Sequence, residues 1–257
     1  QAANSLAITN VQITNVICNG GSDGEIKLTA NGGTGGVYNY EWSPGGQNTQ
    51  NATNLSAGTY YVQVTDAANC TVYDTLIVTE PDALIMTSIT PVDITCFGEA
   101  DGIISAVVSG GTPGYTYLWS NNQIGDTITN LMPNTFTVTV TDSNGCTLID
   151  SANINEPNYL YAVLTETSPL CHNDNNGSIS GVVSGGIPPY TTTYMSISYP
   201  IADSLVNIPG LSSGSSTLSV TDANGCTSNY TDVTLLNPLE LEVDSFTAIN
   251  PTCYEYT

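Results

Sequence analysis

The sequence predicts an all-β chain built from tandem small β-sandwiches, and three observations predict it. The string VTDSNGCT at 140–147 returns as VTDAANCT at 64–71 and VTDANGCT at 220–227, so the chain is a repeat array. Threonine, serine, glycine, asparagine, valine and tyrosine dominate, while lysine, arginine and glutamate are scarce, a mixture that favours strands and tight turns over helices. No segment shows helical periodicity, and Gly-Gly, Asp-Gly and Asn-Gly turn signals recur between alternating runs.

The elements follow in order within each copy. Cys18, Cys96 and Cys171 open the polar turns CNGGSDGEI, CFGEADGII and CHNDNNGSI. In the second copy GIISAVVSGG reads as a strand ending on a Gly-Gly turn. The following YTYLW alternates, which places Tyr115, Tyr117 and Trp119 on one face. That stripe reads as the inner face of a sandwich, with a sugar-stacking platform as the other reading. TFTVTVTD alternates again and runs into Asn144-Gly145, a hairpin signal, with CTLIDSANI as the return strand. Asp66, Asp142 and Asp222 begin this turn in the three copies and are expected to cap it through side-chain to backbone hydrogen bonds. Tyr60 enters the same strand and has the placement of a tyrosine corner, so the sandwich is read as immunoglobulin-like.

Each copy closes on Glu80-Pro81, Glu156-Pro157 or Asn237-Pro238, which sets boundaries at 1–81, 82–157 and 158–238, with 239–257 beginning a fourth copy. The period of 75 to 82 residues suits a small independent domain rather than a solenoid coil. The third copy departs from the others. Tyr194 replaces the tryptophan and Ser216 stands where Tyr60 and Phe136 stand, so a smaller core is expected there. The chain starts at Gln1 without an export signal and ends in mid-repeat, which reads as a mature or internal segment of a longer protein.

Seven cysteines with one histidine and no CxxC leave zinc without a ligand set, so disulfides are expected, and with them an oxidising compartment. The plain pairing is within each copy: Cys18–Cys70, Cys96–Cys146 and Cys171–Cys226, with Cys253 awaiting a partner beyond the sequence. The first cysteine follows the first strand and the second follows the last hairpin turn, which puts them at opposite ends of a standard sandwich. A staple from one copy to the next, Cys18 to Cys146 for example, is therefore the alternative.

Twenty-three acidic residues face a single lysine, Lys27, and no arginine. Such a surface repels phosphate backbones and anionic lipid, which excludes nucleic-acid binding. No apolar run reaches the roughly 18 residues of a membrane helix. Asp23, Asp101 and Asp174 are weak calcium candidates, because oxygen-rich loops bind hard cations, yet the D-x-D-x-D-G spacing is absent and Asp-Gly is a common turn dipeptide. No other cofactor is expected. His172 is the only histidine, and no repeated carboxylate pair marks a pocket, so catalysis lacks its parts and the chain is not expected to be an enzyme.

The ordered set C-x-G-x-x-D-G, G-G-T-P-x-Y-x-Y-x-W and L-x-x-G-x-Y-x-V-x-V-T-D-x-x-G-C resembles the SprB repeats of large surface adhesins of gliding Bacteroidota, and its second half is similar to PKD-type immunoglobulin-like domains. The resemblance implies a secreted, cell-surface location, export by the type IX system, a role in gliding, and O-glycosylation in Asp-(Ser/Thr)-aliphatic or alanine motifs at Thr75, Thr127, Ser151 and Ser204. The expected function is a non-catalytic stalk or fibre segment that gives an adhesin reach and stiffness. A carbohydrate-binding array, the spacer of a large secreted hydrolase, or a subunit of an extracellular filament or sheath are the alternatives. Expected partners are neighbouring repeats of the same chain, and beyond them surface polysaccharide or further copies in a filament.

Overall fold

The computed structural model describes residues 5–34, 36–201 and 203–245. Every element among them is a strand. They fall into two compact units, residues 1–93 with 101–154, and residues 94–100 with 155–257. The first unit holds two sandwiches and the second holds one.

In the first sandwich, β1 (Ala7–Thr14), β2 (Gly24–Asn31) and β4 (Ala52–Leu55) form one sheet in the order β1-β2-β4, and β3 (Asn39–Ser43), β5 (Gly58–Thr65) and β6 (Thr71–Val78) form the other in the order β3-β5-β6. Period-two alternation decides which residues meet. Ile26, Leu28 and Ala30 from β2 face Trp42, Val62, Val64 and Leu76 from the opposite sheet, and these side chains make one apolar core.

The second sandwich repeats the plan. β7 (Ile85–Val92), β8 (Gly102–Ser109) and β10 (Thr127–Leu131) pair in the order β10-β8-β7, facing β9 (Thr116–Trp119), β11 (Asn134–Thr141) and β12 (Thr147–Ile154) in the order β12-β11-β9. Trp119 is buried, and its indole N–H donates to the Gly125 carbonyl at 2.9 Å. Trp42 makes the equivalent bond to the Thr49 carbonyl, also at 2.9 Å. The Tyr-x-Tyr-x-Trp stripe is thus the inner face of the sandwich.

The third sandwich pairs β13 (Tyr161–Thr167), β14 (Gly177–Ser184) and β17 (Leu205–Leu211) against a four-stranded sheet, β16 (Ile197–Ile201), β15 (Tyr190–Tyr194), β18 (Gly214–Thr221) and β19 (Thr227–Leu235). Here Tyr194 takes the tryptophan's place and is 1% exposed, with burial raising its phenol above the usual range. Its hydroxyl and that of Thr192 are buried without a hydrogen-bond partner. The extra strand β16 pairs along β15 and covers the edge that the first two copies leave to a turn.

The Tyr60 hydroxyl donates to the Ser56 carbonyl four residues upstream, the geometry of a tyrosine corner. A second tyrosine device recurs in all three copies. Tyr38, Tyr115 and Tyr190 donate to the carbonyls of Gly32, Gly110 and Gly185, tying each Gly-Gly turn to the strand after it.

Candidate functional site

The hairpin turn that ends each VTD string is built by one carboxylate. Oδ1 of Asp142 accepts from the N–H groups of Asn144 and Cys146, and Oδ2 accepts from Thr112 in the Gly-Gly loop. Asp66 does the same with Ala68, Cys70 and Thr34, and Asp222 with Asn224, Cys226 and Ile187. All three carboxylates are buried. The Thr34 N–H beside Asp66 and the Thr112 N–H beside Asp142 hold these two carboxyls below the usual range, with further turn amides adding to the effect. Gly111 and Gly186 sit in the left-handed region (φ 58° and 59°), and a Cβ on either would stand 2.7 Å from the aspartate Oδ2. The second glycine of the Gly-Gly turn is therefore required by both its backbone and its neighbour. The expected capping role of the three aspartates agrees with this geometry.

The same turn lies at the end of the sandwich where the chain enters. Gly111 donates to the Asp82 carbonyl and Gly186 to the Asn158 carbonyl, so the Gly-Gly loop rests on the incoming linker. The first cysteine of each copy sits at the opposite, exit end. Around Cys18, Gly20 donates to the Glu80 carboxylate at 2.6 Å and the Asn19 amide donates to the Pro81 carbonyl at 3.0 Å. Around Cys96, Gly98 donates to Glu156 at 2.9 Å. The recurring Glu-Pro is thus a clamp on the cysteine loop as well as a boundary. Its glutamate carried no signal beyond its place before proline.

This placement corrects the disulfide pairing. β5 runs from Gly58, paired with Val78 near the exit, to Thr65, paired with Thr71 beside Cys70. Eight residues of strand set the two ends about 24 Å apart, whereas bridged cysteines need Cα atoms within about 7 Å. The pairs Cys18–Cys70, Cys96–Cys146 and Cys171–Cys226 are not formed. Cys18 bonds Cys146 instead, with Cα atoms 5.7 Å apart, and Cys96 bonds Cys226, at 5.6 Å. In both, the exit loop of one copy is stapled to the entry turn of the next. Cys70 and Cys171 are exposed free thiols, and Cys253 lies outside the described residues.

Each staple carries a companion hydrogen bond that the spacing did not reveal. The Asn144 side-chain amide donates to the Ile17 carbonyl at 3.0 Å, and that of Asn224 to the Thr95 carbonyl at 3.0 Å. These are the asparagines of the N-G-C turns, so one residue both shapes the turn and reaches across to the neighbour. Repeat 1 has Ala68 at this position.

The remaining candidates are placed as follows. Asp23 Oδ1 accepts from the Ile17 N–H, and Asp174 accepts from the Asn176 amide. Asp101 also has a partner. Among the described residues no cluster of three or more histidine, cysteine or carboxylate side chains could hold a metal. His172 Nδ1 lies 2.9 Å from the Pro238 carbonyl, a loop contact like that of Asn19. Thr75, Thr127 and Ser151 are exposed and Ser204 is half-buried. Thr75 and Ser151 share one register on β6 and β12, opposite Tyr61 and Thr137, and each follows an aspartate whose Oδ1 accepts its N–H. Exposed rings do gather at one place that the stripe did not indicate. Phe97 meets Tyr159 edge-on at 5.6 Å, and Tyr159 stacks on Tyr161 at 6.5 Å, beside Cys96–Cys226. The corresponding positions beside Cys18–Cys146 are Asn19, Ala83 and Ile85. Among the described residues no helix is long and apolar enough to cross a membrane.

A family model described as the SprB repeat matches residues 10–47, 88–124 and 163–191. Each match runs from the first strand of a copy through its first cysteine and Gly-Gly turn, and stops before the D-x-x-G-C turn. Among curated proteins no sequence matches this one. Solved structures similar in fold include titin domains I67–I69, with 11% identity, TM-score 0.44, and coverage of 91% of this chain and 100% of that one. The Sidekick-1 immunoglobulin domains 1–5 share 13% identity at TM-score 0.39, covering 93% of this chain, which spans 60% of that one. Domains 4–9 of the surface layer protein SbsC share 16% identity at TM-score 0.23, with coverage of 91% and 48%.

Proposed function

We propose that the chain is a non-catalytic stalk segment of an extracellular surface adhesin, in which consecutive repeats are locked covalently, a reading supported by the three stretches that match the SprB repeat and by the tandem immunoglobulin-like scaffold. One observation carries this reading: both disulfides join the exit loop of one repeat to the entry turn of the next. A staple at that point bypasses the linker, so tension along the chain passes through sulfur rather than stretching Glu80–Asp82. Each bridge closes a loop of 128 or 130 residues, which stabilises the folded state by about 5 kcal/mol in the chain-entropy model. Disulfides of this kind persist outside the reducing cytosol.

The reading extends to a secreted protein carried on a gliding surface and exported by the type IX route, with Thr75, Thr127, Ser151 and Ser204 as glycan acceptors. Exposure favours the first three acceptors. An intact mass equal to that of the polypeptide would remove the glycan assignment. A carbohydrate-binding array draws no support from the recurring aromatics, because Trp42, Trp119 and Tyr194 are core residues.

Force spectroscopy with the two termini held tests the stalk reading. The two bridges overlap, so the taut path of the oxidised chain is short. It should extend to about 35 nm against about 90 nm after reduction, at up to 3.6 Å per residue. An oxidised chain that reaches the reduced length contradicts the proposal.

A further inference from the structure

The two occupied latches define what an occupied exit face looks like, and the third exit face has the same build without an occupant among the described residues. Asp174 donates to the Cys171 carbonyl, as Gly21 and Glu99 do to those of Cys18 and Cys96. The Asn173 N–H donates to Asn237 Oδ1 at 3.2 Å, where Gly20 and Gly98 donate to Glu80 and Glu156. Asn173 has the same left-handed backbone, φ 64° against 75° and 80° for the two glycines. The Leu170 N–H is held by Asn176 Oδ1 as that of Ile17 is by Asp23. A loop with a bare thiol is thus set in the conformation that its two counterparts use to receive a turn.

A second, separate observation points to the same face. The segment that follows Asn237-Pro238, 239–243, reads LELEV. Its Leu241 and Val243 correspond to Leu160 and Ala162 one copy earlier. Those two are 5% and 8% exposed in the core of the third sandwich, whereas Leu241 and Val243 are 92% and 73% exposed. Among the described residues no sandwich covers this stripe as one covers its counterpart.

We infer that the Cys171 loop and the 239–243 segment are the open half of a third latch, whose occupant is one further repeat of the same build. The N-G-C turn of that repeat supplies the sulfur for Cys171 and an asparagine amide for the Leu170 carbonyl. Its sheets bury Leu241 and Val243. The inference extends the stalk reading, since it makes each repeat both a receiver and a donor of a staple. Cys70 is the matching donor thiol at the other end, in a turn that has Ala68 in place of the cross-bonding asparagine. Bond formation joins two thiols into one disulfide with loss of two protons and two electrons. An oxidised small-molecule disulfide such as glutathione disulfide accepts both and leaves as two thiols.

The test extends the full chain by one repeat. Residues 239–257 are replaced with a second copy of 158–238 that carries Thr167→Ser and Thr227→Ser, so that the added sequence follows Pro238 as Asn158 follows Pro157 and its two cysteine peptides differ in mass from the originals. After refolding in a glutathione buffer, free thiols are alkylated and a non-reducing acid-specific digest is mapped by mass. The inference predicts a linked peptide joining Cys171 to the added copy's counterpart of Cys226, with alkylation moved from Cys171 to the added counterpart of Cys171. The Cys18–Cys146 and Cys96–Cys226 peptides report in the same digest that the parent repeats have folded and latched. If they are present while Cys171 stays alkylated, or joins any other cysteine, the inference is overturned. If they are absent, the latch reading fails with it.

Discussion

Asp142 and its counterparts hold the chain's most economical device, since one carboxylate fixes a hairpin turn, a Gly-Gly loop and the cysteine that reaches the neighbour. Asp66 and Asp142 titrate below the usual carboxylate range when folded. Their contribution to stability is therefore complete above the ordinary value and drains away as pH falls through the depressed one. Thermal melts between pH 7 and pH 2 should show Tm falling across that acid window. Asp142→Asn should lower Tm at pH 7 and flatten the acid slope, and an unchanged slope would contradict the assignment. Gly111→Ala places a Cβ against Asp142 in a left-handed backbone, a strain of about 1–3 kcal/mol, read by chemical denaturation. The aspartates were legible in the sequence because a turn-capping residue announces itself locally. Asn144 was not, since its amide reaches Ile17, 127 residues away.

The strands and their cores follow from alternation, so most of each sandwich could be read before its structure. β11 alternates between buried Phe136, Val138 and Val140 and the threonines between them, as TFTVTVT implies. Trp119 anchors that core, and Trp119→Ala should cost about 3–5 kcal/mol in equilibrium unfolding of the second sandwich. Tyr194→Phe should cost little or stabilise, because it removes a hydroxyl that is buried without a partner. A large loss from Tyr194→Phe would mean that the hydroxyl is satisfied. The third copy's added strand β16 was harder to see. MSISYPI carries a proline, which demotes a run read alone, and only at a sheet edge is that proline tolerated. Glu80 and Glu156 illustrate the same gap. As letters they mark a boundary, and their clamp on Gly20 and Gly98 exists only once the exit loop folds back on them.

At the scale of the molecule, repetition was plain in the letters and connectivity was not. Spacing along a chain counts residues between cysteines, while a disulfide depends on which end of a sandwich each one occupies, and that follows from strand direction. The net charge of −22 also acts at this scale. With one lysine, engaged with Glu25 at 2.7 Å, the carboxylates repel along the array, which favours separation of chains over collapse. Raising salt to about 1 M, where the Debye length is near 3 Å, should raise Tm. The central claim is that repeats are stapled to their neighbours, and non-reducing peptide mapping of the native, alkylated chain tests it most directly. The account predicts linked peptides for Cys18–Cys146 and Cys96–Cys226, with Cys70 and Cys171 alkylated. Linked peptides for Cys18–Cys70 or Cys96–Cys146 would contradict it.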